Sequence, residues 1–166
     1  MHHLNAKFDM SDNSPILLWY RRDLRLSDHP ALSAAAQSGR PVIPVFIKDT
    51  TVDALGAAPK WRLGLGLGAL ADSFDAMSSK LVLREGDALD VLQALVKETG
   101  AEAVYWSRLY DPASLQRDSK IKETLCDQGV DAKSFGGHVM FEPWSVETKA
   151  GDCYKVYTPF WNNVKT

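Results

Sequence analysis

Short apolar segments alternate with longer amphipathic segments along the chain from residue 15 onward. The first of them, Ile16–Tyr20, is entirely apolar or aromatic, which is typical of a strand buried on both faces of a sheet. Segments of similar character predict four more strands, at residues 42–47, 81–83, 103–106 and 130–135. Pro44 lacks a backbone N–H, so it places its position in the second strand towards an edge.

The segments between these strands have the spacing of amphipathic helices. They predict helices at about residues 28–39, 59–78, 88–98 and 112–128. We expect Asp28 to cap the first helix and Pro30 to lie in its first turn, where a missing N–H is tolerated. Gly39, Gly100 and Gly129 are the expected ends of three helices.

This alternation of strands and helices predicts the fold class. It indicates a doubly wound, Rossmann-like α/β domain, with a five-stranded parallel sheet and helices on both faces. In such sheets a ligand binds outside the carboxyl ends of the strands, where the strand order reverses. The loops that follow the strands are therefore the candidate site, at residues 21–23, 48–49, 85–87 and 107–111.

Composition restricts the class of protein. A chain of 166 residues that is 45% hydrophobic is long enough for one domain with its own core. No apolar run approaches the roughly 18 residues of a membrane span, and residues 1–14 lack the apolar centre of a secretory signal, so we expect a cytoplasmic protein with a disordered lead at residues 1–14. The 2 cysteines and the net charge of −2 favour neither a metal site nor DNA binding by this domain alone.

Three arginines lie within five residues directly after the first predicted strand. Arg21, Arg22 and Arg25 are interspersed with Asp23. The planar guanidinium group can bind carboxylates, phosphates or ring carbonyls. The same residues could equally form an Arg–Asp network that holds the loop in place, and the sequence pattern alone leaves both interpretations open.

A glycine cluster at residues 64–69 matches the dinucleotide-binding pattern G-x-G-x-x-A, and Glu85 lies at about the spacing of a ribose-binding acid. That pattern requires a strand immediately before its first glycine. Pro59 and a helical pattern precede this cluster instead, so we expect the glycines inside a helix, where they allow close packing or loosen the helix. No nucleophile motif is present, and we expect no catalytic residues in this chain.

The C-terminal segment is rich in aromatic residues and has no clear strand or helix period. It contains Trp144, Tyr154, Tyr157, Phe160 and Trp161. Aromatic side chains at this density usually pack against another surface. We expect a partner domain, or self-association of this chain, to cover them.

Several motifs in order resemble the DNA photolyase and cryptochrome family. Residues 18–32, with the sequence LWYRRDLRLSDHPAL, resemble the opening signature of that family, and residues 154–161, YKVYTPFW, resemble its YKVFTPFW block. Further similar motifs lie between them, at residues 44–49, 60–63, 67–70 and 83–87. The resemblance covers about residues 15–165. It implies an antenna domain at residues 15–142 and an aromatic-rich linker at residues 143–166 that leads to an FAD-binding helical domain.

The resemblance also implies a function. The chain is similar to the N-terminal light-harvesting domain of a DNA photolyase, whose helical domain holds FAD, binds damaged DNA and repairs pyrimidine dimers in light. This chain alone would then not be catalytic. A cryptochrome photoreceptor domain is the first alternative, and a stand-alone nucleotide- or flavin-binding α/β domain is the second.

Relatives of this kind bind an antenna chromophore, and the resemblance assigns its site residue by residue. The implied cofactor-binding residues are Arg22, Asp23, Phe46, Ile47, Lys48, Lys60, Trp61, Tyr110 and Asp111. A deazaflavin or flavin is favoured over methenyltetrahydrofolate, because Ala113 and Ser114 occupy the place of the Asn–Glu pair of folate-type members. Residues 64–66 also replace polar residues of the family, which could enlarge the pocket, change its ligand or leave it empty.

Overall fold

The structure, a computed structural model, describes residues 13–148 and 150–165. Its strands are β1 (Ile16–Tyr20), β2 (Val42–Lys48), β3 (Val82–Glu85), β4 (Ala103–Ser107) and β5 (Asp131–Phe135). Its helices are α1 (Pro30–Gln37), α2 (Thr50–Asp53), α3 (Ala57–Asp75), α4 (Ala88–Thr99), α5 (Pro112–Asp127) and α6 (Tyr157–Val164), with a 3-10 turn at Pro143–Ser145. Residues 1–12 of the predicted disordered lead lie outside the described residues.

All five strands form one parallel sheet in the order β3-β2-β1-β4-β5. This confirms the predicted doubly wound α/β fold. The completely buried β1 lies at the centre, with Ile16 opposite Val42 on one side and Ala103 on the other. Because β2 and β3 extend the sheet in one direction and β4 and β5 in the other, the strand order reverses between β1 and β4.

Helices cover both faces of the sheet, because alternate residues of β1 point to opposite sides. On one face, Leu17 and Trp19 belong to a core that also contains buried residues of α4 and α5. On the other face, Leu18 and Tyr20 belong to a core with buried residues of α1 and α3. Complete burial of one such aliphatic side chain contributes about 1.5–3 kcal/mol. The two cores therefore hold the ends of the strands in fixed positions.

The start of α1 differs from the prediction by one residue. His29, rather than Asp28, is the N-cap, and its Nδ1 accepts a hydrogen bond of 3.1 Å from the backbone N–H of Leu32. Asp28 has a φ of 50° and an almost fully exposed side chain. The left-handed backbone at Asp28 turns its side chain away from the first turn, so His29 caps the helix.

The strand β2 lies inside the sheet between β1 and β3, but Pro44 itself lies before the pairing with β3 begins, which agrees with the expectation of a position towards an edge. The register explains why a proline is tolerated there. Pro44 lies opposite Leu18 of β1, whereas the pairing with β3 begins one residue later, at Val45 opposite Val82. On the β3 side, Pro44 therefore has no strand partner that would accept a hydrogen bond, and the missing N–H of proline breaks no bond of the sheet.

The glycine cluster lies inside α3, as predicted, and not in a strand-to-helix turn. Gly66 packs closely, since a Cβ atom there would lie 3.1 Å from Leu24 Cδ1. At Gly64 and Gly68 a Cβ atom would meet no heavy atom within 4 Å. Close packing therefore accounts for Gly66 but not for its two neighbours.

The aromatic C-terminal segment contains the helix α6, which the sequence pattern did not predict. Pro159 lies in its first turn, where proline is compatible with a helix. The i, i+3, i+4 spacing of Tyr157, Phe160 and Trp161 places these aromatic residues on one face. None of the residues of α6 is buried, and Tyr157 is 69% exposed.

Among the residues that the structure describes, no helix combines the length and hydropathy that crossing a membrane requires. The same residues contain no group of three or more histidine, cysteine, aspartate and glutamate side chains that could hold a metal ion.

We expect Gly68→Ala to stabilise the protein, because alanine is favoured over glycine inside a helix by about 1 kcal/mol and the added methyl group has free space. The thermal midpoint should rise by roughly 2–4 °C, as is usual for chains of this size. Gly66→Ala is the matched control and should give a smaller gain or a loss, because of Leu24. Thermal unfolding followed by circular dichroism measures both variants, and an equal gain in both would contradict this account of Gly66.

Candidate functional site

A crevice runs along the carboxyl ends of the strands and contains two adjoining cavities. The larger cavity, of about 460 Å³, lies at the ends of β2 and β3 beside α2 and α3. The smaller cavity, of about 90 Å³, lies at the ends of β1 and β2. Phe46, Val52 and Leu63 line both cavities, so the two form parts of one crevice.

The larger cavity has apolar walls, and three basic side chains and the carboxylate of Glu85 also line it. Its apolar lining consists of Phe46, Val52, Leu63, Leu67 and Leu83. Gly64 lines it as well, and this is one of the two α3 glycines at which a side chain would meet open space. A concave apolar site of this size with a few polar groups is typical of small-molecule binding.

The lysines of the larger cavity differ in how fully they are paired. Lys48 Nζ lies 2.7 Å from Glu85 Oε1 and 3.3 Å from Asp53 Oδ1. Hydrogen bonds to Glu85 and then to Asp53 raise the pKa of Lys48. Lys60 Nζ donates a hydrogen bond of 2.9 Å to the carbonyl oxygen of Asp53. Since an ammonium group has three donors, Lys60 can also bind an acceptor of a ligand.

The smaller cavity is built around the indole ring of Trp19. The guanidinium groups of Arg21 and Arg117 lie over this ring, with Cζ at 4.6 and 5.1 Å from its centroid. Arg21 donates to Asp118 at 2.6 Å and to the carbonyl oxygen of Ser107, and Arg117 donates to Asp49 at 2.8 Å. Burial lowers the pKa of Arg21, and the Asp118 carboxylate opposes this effect. The arginines after β1 therefore combine both interpretations, because Arg21 holds the loop in place and also lines a cavity.

Asp23 fixes the loop between β1 and α1 from inside the protein. Its Oδ1 accepts a hydrogen bond of 2.9 Å from the backbone N–H of Arg21, and its Oδ2 lies 2.8 Å from Nε2 of the buried His29. Burial would raise the pKa of Asp23, but hydrogen bonds from His29, Ser107 and the Arg21 N–H outweigh it and hold the pKa well below its ordinary value. Asp23 therefore stays ionised and joins the loop to α1 and to the end of β4.

The structure brings five of the nine predicted site residues to the crevice. Phe46, Lys48 and Lys60 line the larger cavity, and Arg22, Phe46 and Ile47 line the smaller one. The other four predicted residues, Asp23, Trp61, Tyr110 and Asp111, lie outside the lining of both cavities.

Those four residues have other surroundings in the described structure. Trp61 is 69% exposed. Asp111 caps α5, and its carboxylate lies 3.5 Å from the guanidinium group of Arg22. Burial would raise the pKa of Asp111, but the hydrogen bonds from Ser114 outweigh it and lower that pKa. Tyr110 donates a hydrogen bond of 2.9 Å to Glu142, and burial, followed by this contact, raises its pKa.

The crevice also contains residues outside the nine predicted site residues, although the resemblance had already connected Gly64 with the size of the pocket. Leu63, Gly64 and Leu67 line the larger cavity from α3, and Arg117 reaches the smaller one from α5. These α3 residues lie three, four and seven positions after Lys60, on the same face of the helix, so the helical spacing that follows Lys60 was an available signal. For Arg117 there was none, because its helix is far from β1 in sequence.

Comparison with known proteins gives a consistent result. The family model described as DNA photolyase matches residues 16–166. A deoxyribodipyrimidine photo-lyase of Agrobacterium fabrum is 45% identical over 148 residues, which are 89% of this chain and 31% of that relative. Cryptochrome-2 of Arabidopsis thaliana is 34% identical over 156 residues, which are 92% of this chain and 25% of that relative. The chain thus spans less than a third of the length of these relatives.

Solved structures agree with the sequence comparison. The crystal structure of a bacterial class III photolyase from Agrobacterium tumefaciens superposes on this chain with a TM-score of 0.88 and 42% sequence identity. The matched region is 96% of this chain and 33% of the photolyase chain. The structure of an archaeal photolyase from Sulfolobus tokodaii superposes on this chain with a TM-score of 0.68 and 27% sequence identity. The matched region is 91% of this chain and 34% of the archaeal chain. The latter structure is described as holding two FAD molecules, with the implication of a novel light-harvesting cofactor.

We expect Asp23→Asn to lower the free energy of unfolding at pH 7 by about 1.5–3 kcal/mol, the range for hydrogen bonds to a charged group. Because the folded-state pKa of Asp23 lies below its unfolded value, this contribution is present above about pH 4 and is lost as the pH falls further. Urea unfolding at pH 7, 5 and 3 should therefore show a difference from the wild type that shrinks at pH 3.

The control is Asp28→Asn, because the Asp28 side chain is 94% exposed and should contribute little at any of these pH values. A loss of stability in Asp23→Asn that is as large at pH 3 as at pH 7 would rule out the ionised carboxylate as its cause.

Proposed function

The chain belongs to the photolyase/cryptochrome family and forms its N-terminal α/β domain, and from this premise we propose that it is the light-harvesting domain of a DNA photolyase. The observation that carries the proposal is the crevice at the carboxyl ends of β1, β2 and β3, with a cavity of about 460 Å³. The similarity to the archaeal photolyase, whose structure holds two FAD molecules, supports a flavin as the ligand class.

The residues of the crevice fit a chromophore of the flavin or deazaflavin type. Such a molecule needs a flat apolar space for its rings and hydrogen-bond donors for its carbonyl and side-chain oxygens. The apolar walls and the open space at Gly64 meet the first need. Lys60 at the larger cavity and Arg22 at the smaller one meet the second, since the Arg22 side chain is 64% exposed and its contact with Asp111, at 3.5 Å, is long.

A bound chromophore of this class would absorb blue light and transfer the excitation to a second flavin. The part of this chain is to bind, orient and shield the chromophore. Phe46 and Leu63 would exclude water from its rings, and Lys60 would bind an oxygen at its edge. Because Phe46 belongs to a strand inside the sheet, it provides a rigid wall, which keeps the orientation of the rings constant.

We propose an FAD-binding helical domain as the partner of this domain. Exposed apolar side chains concentrate in the C-terminal segment, where they include Met140, Trp144, Val156, Tyr157 and Trp161. Exposed apolar side chains at this density are typical of an interaction site. In the proposed protein, damaged DNA would bind through the partner domain, which is consistent with the net charge of −2 of this chain.

A second candidate function is light signalling, as in cryptochromes. The 34% identity with Cryptochrome-2 of Arabidopsis thaliana favours it. Light-driven loss of pyrimidine dimers by a gene product that contains this chain would support repair, and the absence of such loss with FAD bound would favour signalling.

The proposed function predicts that the protein binds FMN or a deazaflavin and binds methenyltetrahydrofolate more weakly. Each ligand is titrated into the purified protein, and binding is followed by absorbance and by quenching of tryptophan fluorescence. Lys60→Gln should weaken FMN binding by about 1 kcal/mol or more, the usual contribution of a hydrogen bond. Lys120→Gln on α5 is the charge-matched control, because Lys120 lines neither cavity.

NAD serves as the negative ligand in this titration, since the glycines of α3 lie inside the helix. Tight NAD binding that is lost in Gly66→Val would instead support a stand-alone nucleotide-binding domain. Failure of FMN, deazaflavin and folate alike to bind would contradict the light-harvesting proposal.

The exposed aromatic surface predicts that this chain self-associates in the absence of a partner domain. Light scattering after size-exclusion chromatography should show a mass above that of the monomer that increases with concentration. Trp161→Ser should reduce it, because Trp161 is 47% exposed on α6. Trp61→Ser is the control and should leave the mass unchanged, because Trp61 is also exposed but lies on α3, outside the C-terminal segment. A monomer at all concentrations would contradict the prediction.

A further inference from the structure

We propose that Glu142 is a positioning residue, which clasps the aromatic C-terminal segment to the loop after β4 and so presents Trp144 in a fixed orientation to the partner domain. This role rests on the partner domain proposed above and goes beyond it, because it assigns the contact that orients the docking surface. Since the relatives of this chain are much longer, the occupant of that surface is their additional domain.

Both oxygens of the Glu142 carboxylate accept a hydrogen bond from the loop after β4. Arg108 Nη1 donates to Oε1 at 2.5 Å, and the Tyr110 hydroxyl donates to Oε2 at 2.9 Å. The side chains of Arg108 and Glu142 are only 31% and 25% exposed, so water and salt screen this pair less than a fully exposed pair. Both bonds are charge-assisted, and such bonds are roughly twice as strong as bonds between neutral groups.

The end of β5 holds Arg108 in the orientation that the clasp requires. Arg108 Nη2 donates to the carbonyl oxygen of Ser134 at 3.0 Å, and the backbone N–H of Arg108 donates to the carbonyl oxygen of Phe135 at 2.7 Å. The direction of the guanidinium group is therefore set by the sheet. Glu142 in turn joins the C-terminal segment to this fixed group.

Gly136 leaves the space that the Glu142 carboxylate occupies. A Cβ atom at Gly136 would lie 2.7 Å from Glu142 Oε1, well inside the roughly 3.5–4.0 Å of a favourable contact. The backbone does not itself require glycine at this residue, because φ is positive at Gly137 but not at Gly136. The carboxylate of Glu142 is therefore what this glycine accommodates.

The clasp holds one side of Trp144 against the protein and leaves the rest exposed. The Trp144 ring centroid lies 6.3 Å from that of Tyr110 and 5.6 Å from the guanidinium carbon of Arg108. The carbonyl oxygen of Glu142 also accepts the N–H of Ser145 at 2.8 Å, across the turn that contains Trp144. Trp144 is nevertheless 58% exposed. A tryptophan fixed in this way is suited to anchor an interface, since little conformational freedom remains to be lost on docking.

Two native cysteines allow the clasp to be tested by a distance measurement. Cys126 lies on α5 and Cys153 in the C-terminal segment, and both are exposed, so each can carry a nitroxide spin label. Double electron–electron resonance measures the distance between the labels, with the labelled protein diluted in unlabelled protein so that only pairs within one chain contribute. We expect one narrow distance distribution for the wild type.

Two substitutions break the clasp in different ways. Glu142→Gln removes the charge, and Gly136→Ala displaces the carboxylate without changing its charge. We expect each to raise the population of released segment by about tenfold or more, as the loss of a hydrogen bond to a charged group implies, and so to broaden the distribution. Glu147→Gln is the matched control, because Glu147 is exposed in the same segment, and it should keep the narrow distribution.

Thermal unfolding of each variant separates release of the segment from a loss of folding. A broad distribution in the wild type, or a narrow one in both Glu142→Gln and Gly136→Ala, would overturn the clasp. The measurement uses neither a chromophore nor the partner domain, so that result would leave the light-harvesting proposal intact. Failure of every chromophore to bind would overturn light harvesting and leave the clasp intact.

A separate substitution tests the docking of Trp144. Trp144→Ala should lower the thermal midpoint of a longer gene product, which contains this chain and the partner domain, by more than it lowers the midpoint of this chain, because only the partner domain covers the exposed part of the ring. An equal decrease in both proteins would overturn the role of Trp144 as an anchor for the partner domain.

Discussion

The buried carboxylate of Asp23 is the interaction on which the geometry of the crevice depends. It joins three elements, because it lies 2.8 Å from His29 at the start of α1, accepts the backbone N–H of Arg21 after β1, and is hydrogen-bonded to Ser107 at the end of β4. Removal of one partner of such a buried charged group leaves the others unsatisfied. The loop that carries Arg21 and Arg22 is therefore fixed relative to the sheet before any ligand binds.

The central position of β1 makes this arrangement possible. All five of its residues are buried, and its neighbours β2 and β4 bring the side chains of Phe46 and Ser107 beside its carboxyl end. Under the proposed light-harvesting function, this fixed crevice would hold a chromophore in the constant orientation that energy transfer requires. The domain would then act as a rigid holder, and its exposed aromatic surface is the proposed contact with the domain that uses the excitation.

The sequence predicted the fold well because hydrophobic periodicity reports burial directly. The continuous apolar run Ile16–Tyr20 predicted a strand buried on both faces, and α4 ends at Gly100, in the left-handed conformation, as the sequence predicted. Two local features were not predictable in this way. The cap at His29 depends on the φ of Asp28, and the tolerance of Pro44 depends on where β3 begins; both are properties of the folded chain.

The candidate site was predictable only in part, for a similar reason. Topology selected the loop that begins at Lys48, and the resemblance added Phe46 beside it and connected residues 64–66 with the size of the pocket. Arg117 reaches the crevice from a distant helix, and neither topology nor the resemblance assigned it. Conversely, Asp23 belongs to a family motif, yet the structure gives it a buried supporting role beside the crevice.

The most direct test of this account is a crystal structure of the protein grown with FMN. The account predicts electron density for the isoalloxazine ring in the larger cavity, with Lys60 within hydrogen-bond distance of one of its oxygens. A ring bound elsewhere on the protein would contradict the roles proposed for Phe46, Leu63 and Lys60. An empty crevice at saturating FMN would contradict the light-harvesting function as well.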